Sequence, residues 1–363
     1  MRLFQNCGLM PSYLLRLHEL AATARSFEER RRIFLDDRFG AIHILKPLLD
    51  NEPDGCLACG NDEAMQRQWA KENGLSAKSS LADILLAQIE QHRTEIFYNL
   101  DPVRFPSSFV RRLPGCVRKT LCWRAAPSGQ ADLTAYGAVL GNFPSILEGW
   151  RRKGCRAEWF APAIDPVMAA YGHGERPVDL LFVGGYSRHH SARAKILEHV
   201  ARLAGNLHIV YCLDSSRLTR LAESALGRLV PPLKKHRRPH AISKIARSPV
   251  FGRQLYDLIG QSKIVLNGAI DMAGADRGNM RCFEAFGCGA LLLSDEGNYP
   301  DGMRNEETML TYSDAESCIR QIQRCLDHWD RVQGIADNGR RQIGKTYSKA
   351  RQWSAFEALV ARL

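Results

Sequence analysis

The sequence has 363 residues, too many for one ordinary core, and it is 45% hydrophobic and 25% charged, as globular proteins are. No apolar run approaches the roughly 20 residues of a membrane-spanning helix, and the N-terminal stretch lacks the apolar core of a signal peptide. The formal net charge is +11, yet RNA-binding aromatic motifs, zinc fingers and basic heptads are absent from the sequence, so we expect no nucleic-acid partner.

The eleven cysteines are an odd number and are scattered through helical and strand-like segments. This pattern is typical of reduced thiols and predicts a cytoplasmic protein. Cys56 and Cys59 form the only tight pair in the sequence. Because no second pair of cysteines or histidines matches them, the sequence disfavours a zinc site.

Strands and helices alternate through the first half of the chain. Strand-like runs cover residues 2–5, 55–58, 95–98, 119–123, 135–140 and 157–160, and helical patterns lie between them. Ser26, followed three residues later by Glu29, is a capping-box pattern that predicts a helix start. The alternation predicts a mostly parallel sheet with helices on both faces, and we place one doubly wound domain at residues 1–165.

Small, amide and carboxylate side chains follow the strands of this first domain, at residues 6–8, 60–61, 99–101, 123–124 and 141–142. The carboxyl ends of parallel strands meet at one edge of a sheet, so we expect this edge to recognise a polyhydroxylated acceptor. The alternative is that Asn and Gly simply end strands. Asp101 is the only carboxylate directly after a strand here and is a candidate general base, although Asp-Pro is also a common turn.

Two prolines in residues 161–167 predict an extended linker, after which a second domain covers residues 170–345. Its first strand, 179–183, runs into Gly184 and Gly185, and Tyr186 leads into an amphipathic helix. Glycines at this position let backbone amides approach a phosphate, although tight turns need them equally often. Further patterns predict a strand at 207–212 and helices at 217–230, 252–260, 314–329, 331–345 and 349–363.

The basic stretch PPLKKHRRPH occupies residues 231–240, where its prolines predict a surface loop. One interpretation is a solvated insertion. The other is a dock for an anionic lipid-linked or phosphorylated acceptor, with peripheral contact to the inner face of an anionic membrane. We attribute most of the excess positive charge of the chain to solvated helix faces, with this cluster as the exception.

Residues 262–298 carry the strongest pattern in the chain. A buried strand, a glycine-rich loop, a helix at 280–286, a glycine stop and a second strand predict one βαβ unit. Its loop lies at the carboxyl end of a strand, where open sheets bind ligands, and the helix start attracts anions. Arg277 and Arg281 add positive charge there, and Glu284 suits a pair of hydroxyls. Phosphate donors beside a carboxylate for vicinal diols are typical of a nucleotide site.

At these residues the sequence resembles the GT-B glycosyltransferases, and more narrowly their group 1, spore-maturation-protein-like branch. The resemblance rests on Arg281-Cys282-Phe283-Glu284, followed by Cys288-Gly289. Many retaining members have two glutamates separated by seven residues; the second binds the ribose hydroxyls and the first touches the donor sugar. Glu284 stands at the second position, but Asp276 stands at the first, a departure that leaves the stereochemical outcome open.

The resemblance implies two Rossmann-like doubly wound domains that face each other across a cleft, with the last helix, 349–363, packing back on the first domain. The second domain would hold a nucleotide diphosphate-sugar, with a UDP-sugar as the first guess. The first domain would hold the acceptor, which is a cell-surface glycan, a glycolipid or a protein. The chain contains no Asp-x-Asp pair, which predicts transfer without a metal.

The predicted donor site combines backbone amides with charged side chains. Its members are Gly184, Gly185, Tyr186, Arg277, Gly278, Asn279, Arg281 and Glu284. A leaving diphosphate gains charge as its bond breaks, so fixed cations and N–H groups should carry much of the catalysis. The catalytic candidates are Arg281, Glu284, Asp276 and Asp101. The alternatives are that Arg281 pairs with Asp276 or Glu284 and only stabilises the helix, and that Asp276 caps the helix at Asn279.

Two other functions fit the same pattern. A nucleotide-sugar epimerase or hydrolase would keep the fold and consume its donor without an acceptor. A non-enzymatic, basic surface-binding protein would use the same domains only as a scaffold, and nucleoside diphosphates would not stabilise it. The sequence leaves the donor sugar, the base and the acceptor open.

Overall fold

The computed structural model describes residues 1–127, 129–172, 174–187, 190–268 and 271–363. The chain forms two compact units. The first comprises residues 1–163, 272–276 and 347–363, and the second comprises residues 164–271 and 277–346. No helix in the described ranges is both long enough and apolar enough to cross a membrane.

The first unit contains β1–β6 and α1–α7. Its strands are β1 (Leu3–Cys7), β2 (Gly55–Cys59), β3 (Ile96–Asn99), β4 (Lys119–Trp123), β5 (Ala138–Gly141) and β6 (Ala157–Trp159). Its helices are α1 (Pro11–Leu20), α2 (Phe27–Asp37), α3 (Lys46–Leu49), α4 (Glu63–Glu72), α5 (Leu81–Gln91), α6 (Ser107–Val110) and α7 (Pro144–Arg152). The predicted cap of α2 is present, since the Ser26 hydroxyl accepts a hydrogen bond from the Glu29 amide at 3.1 Å.

The sheet of the first unit has the strand order β2-β1-β3-β4-β5-β6, and all neighbours are parallel. The chain therefore winds outward in one direction from β1 to β2 and in the other from β3 onward. In such sheets ligands bind where the winding reverses, outside the carboxyl ends of the two central strands. Here those ends are Cys7 of β1 and Asn99 of β3.

The second unit contains β7–β12 and α8–α14. Its strands are β7 (Val178–Gly185), β8 (Ile209–Asp214), β9 (Ala246–Arg247), β10 (Ser262–Leu266), β11 (Leu291–Asp295) and β12 (Leu310–Tyr312). Its helices are α8 (Ser191–Ala201), α9 (Arg217–Glu223), α10 (His240–Ile245), α11 (Gly252–Gly260), α12 (Met280–Gly287), α13 (Ala315–Asp327) and α14 (Trp329–Thr346). The last helix of the chain, α15 (Lys349–Arg362), belongs to the first unit.

The second sheet has the order β12-β11-β10-β7-β8-β9, again with parallel neighbours throughout. Read from β9, this is the 3-2-1-4-5-6 order of dinucleotide-binding sheets, and the winding reverses between β7 and β10. The strands are apolar on both faces because helices cover both, and Leu180, Ile264 and Leu291 are fully buried. The sheet thus places Gly185 and the segment after Leu266 at its ligand-binding crevice.

Helix α15 is fixed in the first unit by aromatic and polar contacts. The Phe356 ring lies 5.1 Å from that of Tyr98 and 6.0 Å from that of Phe160. The buried Lys349 ammonium donates to the backbone carbonyls of Ile42 at 3.0 Å and Ile44 at 2.7 Å. These carbonyls replace the water that the charge loses on burial.

The prediction of one helix over residues 217–230 is wrong. Helix α9 ends at Glu223 and is followed by 3-10 turns at Gly227–Leu229 and Pro231–His236. The segment is rich in leucine, but Leu218 and Leu221 are 49% and 52% exposed, so these side chains do not pack into a core. Tertiary burial, not periodicity, stabilises most helices of this length.

Candidate functional site

The candidate site lies at the reversal point of the second sheet, and its first component is the end of β7. No heavy atom of the described residues lies within 4 Å of the position that a Cβ on Gly185 would occupy. At Gly184 the same position is 3.2 Å from the Phe182 ring. The backbone of Gly185 therefore faces open space, and a ligand can approach its amide closely.

The second component is the start of α12, which Asn279 both caps and ties to the sheet. The Asn279 side-chain oxygen accepts from the Arg281 amide at 3.0 Å, and its Nδ2 donates to Asn267 Oδ1, also at 3.0 Å. Asn267 follows β10 and donates in turn to Ser294 Oγ at 2.9 Å. Gly278, just before the cap, has a φ of +102°, which L side chains rarely adopt. Sequence reasoning missed Asn267, which holds this helix start in register.

Arg281 and Glu284 form a buried ion pair one turn apart on α12. Arg281 Nη1 donates to Glu284 Oε2 at 2.5 Å, and the two side chains are 12% and 3% exposed. Within the described ranges, Arg281 Nε is buried without a hydrogen-bond partner, and no bond to Glu284 Oε1 is formed. The alternative that Arg281 pairs with Glu284 therefore describes the observed contact. Both side chains nevertheless keep an atom that could bond a ligand.

Burial raises the pKa of Glu284 above its ordinary value of 4.5, and the nearby Arg281 guanidinium opposes the shift without cancelling it. At a pH just above 4.5, Glu284 in the folded chain therefore retains a proton that it has already released in the unfolded chain. We therefore expect the free energy of unfolding of the wild type, relative to Glu284→Gln, to decrease as the pH rises above 4.5. Urea unfolding of both proteins from about pH 4 to about pH 7 measures this difference. A difference that grows with pH would contradict it, because it would mean that Arg281 lowers the pKa.

Arg277 lies at the same edge but has a carboxylate partner that the sequence did not reveal. Its Nε lies 2.8 Å from Asp295 Oδ2, at the carboxyl end of β11, and the two side chains are 14% and 21% exposed. The Arg277 amide also donates to the Asn298 carbonyl at 2.9 Å. Asp295 therefore offsets much of the positive charge predicted for this loop.

Tyr186 and Arg193 lie at the two ends of the connection between β7 and α8. The Tyr186 hydroxyl donates to Glu198 on α8 at 2.6 Å, and its ring packs against the core. Its contact with a ligand stays a prediction. Arg193, in the first turn of α8, lies beside Gly268: its Cγ and Cδ are 3.5 and 3.6 Å from where a Cβ on that glycine would be. This cation, which sequence reasoning missed, stands at the carboxyl end of β10.

Asp276 does not cap α12, as one of its two predicted roles required, and it has a partner that the sequence did not reveal. It is 7% exposed and its Oδ2 accepts from the Ser145 amide at 2.7 Å, near the start of α7 in the first unit. Ser145 Oγ donates to the Ala273 carbonyl at 3.1 Å. A carboxylate at a helix N-terminus stabilises that helix, so Asp276 caps α7, whereas Asn279 caps α12. Its contact with a donor sugar stays a prediction.

In the first unit, Asp101 lies at the reversal point of the sheet, as its place after β3 predicted. Its Oδ2 accepts from Arg104 Nε at 3.2 Å, and the carboxylate is 21% exposed. Gly8, after β1, makes room for it, since a Cβ there would be 2.6 Å from Asp101 Cβ. The strand-end amides of Asn6 and Asn99 are instead fully buried and bonded to each other at 2.8 Å. Those two side chains hold the edge together and are not presented to an acceptor.

The described residues hold no group of three or more His, Cys, Asp or Glu side chains placed to bind a metal ion. Burial raises the pKa of the Cys56 thiol to about 12, and all eleven cysteines are free. Cys56 and Cys59 therefore act as protonated core side chains.

Solved structures with the same architecture identify the fold. HepE of Anabaena, in complex with UDP and glucose, has a TM-score of 0.59 and 10% identity over 100% of both chains. A glycosyltransferase from Rickettsia africae has a TM-score of 0.58 and 11% identity over 98% of this chain and 97% of that one. Sucrose-phosphate synthase from Thermosynechococcus elongatus has a TM-score of 0.54 and 12% identity over 100% of this chain and 99% of that one. The chain has the GT-B fold, and the prediction of two parallel, doubly wound sheets is confirmed.

At the level of sequence, residues 215–358 match a family model described as glycosyl transferase-like. No curated protein sequence matches the chain. The matched segment includes α12 with Arg281 and Glu284, but it begins after β7 and so leaves out Gly185. This match covers less than half of the chain, and membership of the spore-maturation-protein-like branch stays a prediction.

Proposed function

We propose that the protein transfers a sugar from a nucleotide diphosphate-sugar to a hydroxylated acceptor. The observation that carries the proposal is the buried pair of Arg281 and Glu284, which keeps an unpartnered Nε and an unpartnered Oε1 among the described residues. The pair lies on the helix that follows β10, at the reversal point of a dinucleotide-type sheet. A guanidinium and a carboxylate side by side suit a diphosphate and a ribose diol respectively.

The reaction requires charge stabilisation on the leaving diphosphate. The Arg281 guanidinium, the N–H groups at the start of α12 and the amide of Gly185 are fixed before the reaction, so they stabilise the developing charge without reorganisation. Glu284 would orient the nucleoside through the ribose hydroxyls. Arg193 adds a further cation at the carboxyl end of β10.

The acceptor side of the proposal rests on the first unit. Asp101 at its reversal point is the carboxylate proposed to accept a proton from the acceptor hydroxyl, should the reaction invert the sugar configuration. A glycan, a glycolipid or a protein could each supply such an acceptor hydroxyl. For the donor, UDP-glucose is the first compound to test, because HepE, with a similar fold, has been solved in complex with it.

Thermal unfolding with UDP, GDP or dTDP tests the donor site. A ligand at 100 times its dissociation constant adds about 2.7 kcal/mol to the free energy of unfolding, which raises the Tm by several degrees. We expect at least one of the three to raise the Tm, and its monophosphate to do so less. If none changes the Tm at millimolar concentration, the proposal of a nucleotide-sugar enzyme is wrong.

Incubation with UDP-glucose alone then separates transfer from the alternatives. A transferase should release UDP only slowly without an acceptor, whereas a hydrolase releases it continuously and an epimerase converts the sugar. Rapid acceptor-independent release of UDP would replace the proposed transfer with hydrolysis at the same site.

A further inference from the structure

The positive charge of the chain is concentrated in one segment. Residues 215–247, which follow β8 and end with β9, contain nine Lys and Arg side chains and one carboxylate, Glu223, a formal charge of +8. The whole chain carries +11. The expectation that most of the excess is spread over helix faces is therefore wrong, and this segment needs its own explanation.

The same segment exposes large apolar side chains. Their exposed fractions are 49% for Leu218, 52% for Leu221, 77% for Leu226, 79% for Leu229 and 42% for Val230. Single exposed leucines are ordinary on a protein surface, but five large apolar side chains within 13 consecutive residues form a patch. Such patches mark surfaces that are covered by a partner.

Two arginines hold this patch in a fixed conformation. Arg237 donates to the carbonyls of Ala222, Gly227, Arg228 and Val230 at 3.2, 3.0, 2.9 and 3.3 Å. Arg238 Nε donates to Glu223 Oε1 at 2.8 Å and its Nη2 bonds the other carboxylate oxygen. The turn is also tightly packed, because a Cβ on Gly227 would lie 1.8 Å from the Leu221 carbonyl oxygen. The leucines therefore point outward from an ordered platform.

Other cations of the segment remain at the surface around the leucines. Arg228, Lys234 and Lys244 are exposed, and the single carboxylate of the segment is already paired with Arg238. Apolar side chains surrounded by cations suit a partner that offers both an apolar interior and surface anions.

We propose that residues 215–247 dock the protein on a membrane with anionic headgroups. The leucines would enter the boundary between headgroups and acyl chains while the cations contact lipid phosphates. Nucleic acid matches the charge of the segment but not its exposed leucines, and the segment has no Phe, Tyr or Trp ring on which a base could stack. Membrane binding by this segment requires neither the donor site nor the reaction, so it is independent of the proposed function.

Co-sedimentation with vesicles tests the proposal on the full-length chain. The vesicles are pure phosphatidylcholine or an equimolar mixture of phosphatidylcholine and phosphatidylglycerol, in about 0.1 M and about 1 M salt. The variants are Leu226→Ser/Leu229→Ser and Arg228→Gln/Lys234→Gln. The controls remove the same number of leucines or of cations at exposed positions of the first unit, Leu15→Ser/Leu20→Ser and Lys71→Gln/Lys78→Gln. Thermal unfolding confirms that each variant folds.

We expect the wild type and both controls to sediment with the anionic vesicles at the lower salt and to bind neutral vesicles weakly. The arginine–lysine variant should need roughly tenfold to thirtyfold more lipid for half-maximal binding, and the leucine variant at least about tenfold more. A wild type that stays in the supernatant, or variants that bind as the wild type does, would overturn the proposal. A dimer that the leucine variant abolishes, without vesicle binding, would overturn it too and assign the patch to a second copy of the chain.

Discussion

Replacing Glu284 with alanine should lower the free energy of unfolding by about 3–5 kcal/mol, because it leaves the buried Arg281 guanidinium without its counter-charge. It should also weaken binding of the nucleoside diphosphate by roughly tenfold to a hundredfold, the effect of losing a charged hydrogen bond to the ribose. Denaturant unfolding and calorimetric titration with UDP, performed at a temperature where the variant is folded, measure the two effects separately.

Glu307→Ala is the matched control for this substitution. Arg304 and Glu307 have the same spacing as the buried pair, but their side chains are 68% and 54% exposed. Exposed pairs contribute less than about 1 kcal/mol, so the control should change neither stability nor affinity appreciably. If Glu284→Ala destabilises the protein but leaves its affinity for UDP unchanged, the ion pair is structural and the ribose role is wrong.

Replacing Gly185 with alanine should weaken ligand binding and leave the stability almost unchanged. The new methyl group would meet no heavy atom of the described residues within 4 Å, so the stability should change by less than about 0.5 kcal/mol. The same methyl group would stand where the diphosphate approaches the backbone. We expect it to displace the ligand and to reduce affinity or turnover by roughly tenfold to a hundredfold.

Gly205→Ala provides the comparison for Gly185→Ala. Gly205 lies in the same unit, after α8, and a Cβ there likewise meets nothing within 4 Å in the described part of the chain. Its variant should bind UDP as the wild type does. Equal affinities for both variants would mean that no ligand approaches β7, and the donor site would have to lie elsewhere.

The βαβ unit at residues 262–298 was predicted to within two residues at each boundary. Its strands, β10 and β11, are apolar runs that are largely buried, and local signals bound the helix, since Asn279 caps its start and Gly289, with a φ of +68°, follows its end. Short strands such as β9 and β12, with two and three residues, gave no pattern. Pairing with a neighbouring strand, not local sequence, defines them.

The site was predictable in its residue types and less so in its contacts. Arg281 and Glu284 are three residues apart on one helix, so their pairing follows from helical spacing. The partner of Asp276 is Ser145, 131 positions away, and that of Arg277 is Asp295 on the next strand. Both contacts join residues that are far apart in the sequence, so no local pattern predicts them. The sequence therefore predicts which charges meet at this edge but not which of them neutralise each other.

The most direct test of the proposed donor site is the structure of the protein crystallised with UDP. We expect the diphosphate to lie against the backbone of Gly185 and the start of α12, with the Arg281 guanidinium on its oxygens and Glu284 bonded to the ribose hydroxyls. UDP bound elsewhere, or a saturated crystal in which Arg281 and Glu284 still bond only to each other, would contradict it.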